Sequence, residues 1–77
     1  MTLDEFWNRV RIRQNAQYRW GQAIFDVLHG EGLLPDGFAG SVDDPYHVVR
    51  LRPAARRWVA DHLILDDQDN VTGVRTT

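Results

Sequence analysis

Seventy-seven residues limit the chain to one domain at most and a small core, so self-association is an expected route to stability. There is no cysteine, which excludes disulfides and thiolate metal sites; three Trp, three Phe and two Tyr supply large apolar area instead. The net charge of −2 argues against a generic nucleic-acid binder, and the lack of a long apolar run or signal peptide places the chain in a cytoplasm.

All nine basic residues are Arg, which points to a GC-rich genome such as that of an actinobacterium or its phages. The charge is blocky. Residues 1–20 carry +2, residues 21–49 carry −5 with no Arg, residues 50–60 carry +4 and residues 61–77 carry −3. Such blocks pair within the fold or across a dimer, or present separate acidic and basic faces.

Thr2-Leu3-Asp4-Glu5 is a capping-box pattern, in which the Thr2 hydroxyl accepts from the Glu5 amide and Glu5 reaches back. Leu3, Phe6, Trp7 and Val10 share one helical face, predicting a first helix from Leu3 to Arg13 or beyond. Arg9 and Arg13 lie off that stripe and are expected in solvent. Ile12 lies nearly opposite it, either exposed or against a partner. The periodicity fails over 13–19, and a break is expected near Asn15 to Tyr18.

Trp20, Ala23, Ile24, Val27 and Leu28 predict a second helix, ended by Gly30 and Gly32. The stretch "LLPDGFAG" (33–40) reads as one short helical turn opened by Pro35, with Leu33, Leu34 and Phe38 capping the core. Pro53 reads as the first residue of a third helix, with Leu51 packing just before it. Ala54, Ala55, Trp58, Val59, His62 and Leu65 form that helix's apolar side. Beyond Leu65 the polarity of "DDQDNVTGVRTT" predicts a loose tail. A short hairpin of Ile64–Asp66 against Val71–Val74 is the weaker alternative.

Three stretches, "GQAIFDVLH" (21–29), "LLPDGFAGSVDDPY" (33–46) and "RPAARRWVADHL" (52–63), resemble a group of short proteins from phages and bacterial genomes. In that group a Gly-Gln-Ala-x-Phe helix precedes a Gly-Ser/Thr-x-x-Asp-Pro-Phe/Tyr turn, and a last helix carries a Trp. The matching pieces here are Gly21, Gln22, Ala23 and Phe25, then Gly40, Ser41, Asp44, Pro45 and Tyr46. Trp20 stands where the group has a Pro, and the middle segment is shorter. The resemblance implies a small helical fold in a phage-like setting. The group has no assigned activity, so no reaction and no catalytic residue carry over.

The segment "GSVDDPYHVVRLRP" (40–53) concentrates the residues that carry chemistry. His47 with Asp43 or Asp44 offers mixed nitrogen and oxygen ligands, but His29, His47 and His62 lack the paired i, i+4 spacing of a helical metal site. An Asp-Pro turn is the plainer reading. Asp66, Asp67 and Asp69 raise calcium, yet the Gly and Glu positions of an EF-hand are missing. Ser41 near His47 lacks the Gly-x-Ser-x-Gly elbow of a hydrolase.

The stronger signal is Arg50, Arg52, Arg56 and Arg57 around the start of the third helix, where a phosphate could be held. The plainer reading is that these arginines pair with the acidic block or solvate the surface. The connection of about twenty residues rules out a helix-turn-helix, which uses three or four. Trp7, Trp20 and Trp58 are expected in the core. Tyr46 and Phe38 complete the core or anchor a partner, and Ile12 and Phe25, off the main stripes, suggest a contact surface.

The sequence thus predicts an all-α fold: a three-helix domain with a structured connector over 1–65 and a loose acidic tail over 66–77. The expected function is non-enzymatic: binding of itself, as a homo-oligomer, or of a host or viral protein. The alternative is nucleic-acid or phosphate binding through the Arg50–Arg57 patch. The expected binding residues are Arg50, Arg52, Arg56, Arg57 and Tyr46, with no catalytic residue, metal, cofactor or membrane partner.

Overall fold

Thr2 caps the first helix, α1 (Leu3–Arg13), and both halves of the capping box form. The Thr2 amide donates to Glu5 Oε1 at 2.9 Å, and the Glu5 amide donates to Thr2 Oγ1 at 3.2 Å. The computed structural model describes residues 1–14 and 19–77, so the break expected near Asn15 to Tyr18 lies outside the described residues. The second helix, α2 (Trp20–Gly30), and the third, α3 (Arg52–His62), follow the predicted stripes. Pro53 is the second residue of α3 rather than the first, and Leu51, its N-cap, is 70% exposed instead of packed. α2 packs against both other helices. Phe6 and Val10 of α1, Ala23, Ile24, Val27 and Leu28 of α2, and Ala55, Trp58 and Val59 of α3 meet in one core.

The all-α expectation is corrected by the C-terminal segment. Strand β1 (Leu63–Leu65) leaves α3 directly and pairs antiparallel with β2 (Val71–Val74), giving a small mixed α/β fold. Leu63 faces Val74, Ile64 faces Gly73 and Leu65 faces Val71, with an irregularity between Ile64 and Leu65. The acidic run that reads as a tail is the turn of this hairpin. Asp66 Oδ1 accepts from the Gln68 and Asn70 amides at 2.9 and 2.8 Å, and Asp69 takes φ +60°. These bonds hold the Asp66 carboxyl below its ordinary range, the Asn70 amide contributing most. The far edge of β2 meets the N-terminus. The Val71 amide donates to the Met1 carbonyl and the Leu3 amide to the Asp69 carbonyl, both at 2.8 Å. Val71 and Leu63 thereby join the core.

The connector between α2 and α3 is built from turns. Over 33–40, where one short helical turn opened by Pro35 is expected, the chain forms successive turns and no helix. The Phe38 amide instead closes on the Pro35 carbonyl and the Ser41 amide on the Phe38 carbonyl. Gly37 at φ +76° and Gly40 at φ +79° sit where a Cβ would strain these turns. Asp44 then clamps the corner, accepting from the Gly40 amide at 2.7 Å and the Tyr46 amide at 2.9 Å. This seats Pro45 fully buried against the first turn of α2.

There the Gly21 amide donates to the Val49 carbonyl at 2.7 Å. Gly21, Asp44 and Pro45 therefore serve one crossing of the chain. Their roles here are architectural.

Candidate functional site

α1 presents Asp4, Trp7, Asn8 and Arg11 at i, i+3, i+4 and i+7, which stacks them along one face. Arg52 and Arg56 of α3 are likewise four apart. Together with Gln14 and Trp20, these side chains line an open cleft of about 630 Å³. The half-buried indoles of Trp7 and Trp20 meet edge-to-face, with centroids 6.4 Å apart and planes at 65°. Arg11 Nη2 donates to Asn8 Oδ1 at 2.9 Å, which holds that guanidinium along the α1 side of the cleft.

Three guanidiniums thus face one carboxylate, Asp4. Among the described residues, Arg52 and Arg56 form no ion pair or hydrogen bond. α3 opens with no side-chain cap and no acidic residue in its first turn, so its positive end adds to the same field.

The four expected arginines do not act as one patch. Arg52 and Arg56 line the cleft, whereas Arg50 and Arg57, both exposed, do not. Tyr46 also lies outside the cleft lining: it is half-buried with its ring edge-on to Phe25 at 5.4 Å. Pairing of the Arg50–Arg57 cluster with the acidic block is not realised among the described residues. The arginine that does pair with the block is Arg9, with Glu31.

Trp7, Asn8, Arg11 and Trp20 were not singled out as site residues by the sequence. The i, i+3, i+4, i+7 spacing of α1 carried the signal, but Trp7 reads first as core. The other two surface hints diverge. Ile12 is 75% exposed beside Val27 in a second shallow groove, while Phe25 is covered by Phe38, Tyr46 and His29.

A second polar cluster is structural. Asp43 is buried and accepts from Thr77 N at 2.7 Å and Thr77 Oγ1 at 2.5 Å. His62 stacks on Trp58 at 4.4 Å, with Nδ1 2.9 Å from the Trp58 carbonyl and Nε2 3.3 Å from Asp43 Oδ1. Both ring nitrogens are thereby engaged within the cluster. No ring nitrogen is left to serve a substrate as a base. Trp58 Nε1 closes the cluster on the Asp43 carbonyl at 2.9 Å.

The Thr77 hydroxyl and then its amide hold the Asp43 carboxyl below its ordinary value of 3.8, against the opposing effect of burial, with His62 adding to the lowering. The folded state thus favours the ionised form. Its stabilisation is present above about pH 4 and lost as pH falls through the folded value. Asp43→Asn is expected to lower the melting temperature at neutral pH. The gap from the native chain should close as pH is lowered from neutrality through the folded value of the Asp43 carboxyl. A gap that stays constant across that range would contradict this linkage.

Within the 40–53 segment, His47 is exposed near Arg19, with Arg19 Nη2 3.5 Å from its Nδ1. Among the described residues no group of three His, Asp or Glu side chains is placed to hold a metal ion. No described helix is long and apolar enough to cross a membrane. No protein-family model, curated protein or solved structure matches the chain.

Proposed function

We propose that this chain is a small non-enzymatic binding protein of a bacterial cytoplasm, in a phage-related setting, and that it docks an anionic partner in the α1/α3 cleft. The observation that carries this is the convergence of Arg11, Arg52 and Arg56 around Trp7 and Trp20. Arg52 and Arg56 are like charges at i, i+4 and repel each other weakly on α3. An anion between them and Arg11 removes that repulsion and gains charge-assisted hydrogen bonds.

Retention on a polyanionic resin tests the reading. The native chain should bind at low salt and elute as salt rises, and the Arg52→Glu/Arg56→Glu variant should flow through. Both arginines are exposed, so circular dichroism should show the variant folded. Equal elution of the two proteins would refute the assignment.

A further inference from the structure

We infer that the partner is single-stranded nucleic acid, its bases laid on Trp7 and Trp20 and its phosphates held by Arg11, Arg52 and Arg56. This rests on the anionic-partner reading and names the chemical class of that partner.

Three kinds of group share the cleft. The guanidiniums match phosphate oxygens in a forked geometry. The two indoles are half-buried in the lining and meet edge-to-face, and a base stacked on an indole is a sequence-tolerant source of affinity. Asp4, Asn8 and Gln14 add hydrogen-bonding side chains to the lining. A carboxylate at Asp4 accepts from an exocyclic base amino group, as acidic side chains do with cytosine N4.

An acidic peptide fits this set less well. Its carboxylates would meet Asp4, and it brings nothing planar to the indoles. A duplex also fits less well. Its bases are sealed in the stack, and its major groove receives a protruding helix rather than filling a concave cleft. The net charge of −2 does not oppose a local site, because fields of exposed charges fade within a Debye length of about 8 Å. The acidic residues of the second groove, Asp26 and Glu31, lie among Arg9, Arg13 and Val27 and do not line this cleft. The cleft volume of about 630 Å³ suits a short segment of strand rather than a long track.

The experiment titrates the full chain with four probes at low salt. They are oligo(dC) of about ten nucleotides, an abasic strand of equal length, a duplex and oligoglutamate. Affinity is read by anisotropy, and the site by the indole N–H resonances of Trp7, Trp20 and Trp58.

Oligo(dC) should bind tightest, with the abasic strand at least about tenfold weaker through lost stacking. The Trp7 and Trp20 resonances should shift while that of buried Trp58 does not. The slope of log K against log salt should be about −2 for three phosphates. It should fall to about −0.7 in Arg52→Ala/Arg56→Ala. If the abasic strand binds equally, or if duplex or oligoglutamate binds as tightly, the nucleic-acid inference falls and the anionic-partner reading survives. If no probe binds, both fall.

Discussion

Gly21→Ala is expected to destabilise the fold by at least about 3 kcal/mol and to lower the melting temperature by roughly 12 °C or more. A Cβ at Gly21 would stand 1.9 Å from the Pro45 carbonyl oxygen and 2.6 Å from that of Val49. Both obstacles are backbone, so no rotamer change relieves them. Retreat of the connector would break the Gly21 amide bond to Val49 and unseat Pro45. It would also pull on the Asp44 clamp of the corner. Gly30, the last residue of α2, is the control. Its added Cβ meets nothing within 4 Å, so Gly30→Ala should be neutral or stabilising by up to about 1 kcal/mol. Thermal melts of the two variants side by side decide the matter. A Gly21→Ala melt within about 2 °C of the native chain would mean that the crossing is not as close as described.

This crossing explains what sequence reading could and could not reach. The three helices are legible because each carries an apolar stripe long enough to show its period, and α1 also declares its start with Thr2 and Glu5. The Asp44-Pro45 step marks the corner as a turn. What Gly21 is for is not legible, because its neighbours Pro45 and Val49 lie more than twenty positions away.

The hairpin is obscured for a different reason. β1 is three residues long, β2 contains Gly73, and the carboxylates between them look solvated until Asp66 is seen to bond its own turn. The cleft is half legible. Arg52 and Arg56 fall together because they are one helical turn apart, whereas Arg57 is rotated by about 100° from Arg56. Arg11 joins them from α1, and nothing in local sequence announces a contact between helices.

Removing residues 66–77 is expected to abolish cooperative unfolding. A loose acidic tail would be dispensable, and its deletion would leave the melt unchanged. Here the segment supplies β2 and the turn before it. Val71 is 5% exposed, and losing its burial alone costs about 1.5–3 kcal/mol. Leu63 loses its strand partner, and the Met1 carbonyl and Leu3 amide lose theirs on Val71 and Asp69. Asp43 loses the Thr77 donors and keeps only His62 against its buried carboxylate.

A domain of this size holds only a few kcal/mol above its unfolded state, so these losses together exceed the margin. Val71→Asp separates lost packing from lost chain length. It keeps all residues but places an unpaired charge in the core, a change worth several kcal/mol. Near-ultraviolet circular dichroism with thermal melts reads both proteins. The truncated chain should lose its aromatic signal and sharp transition, and Val71→Asp should lose most of its stability. A sharp, unshifted melt for both would show that the hairpin does not belong to the folding unit.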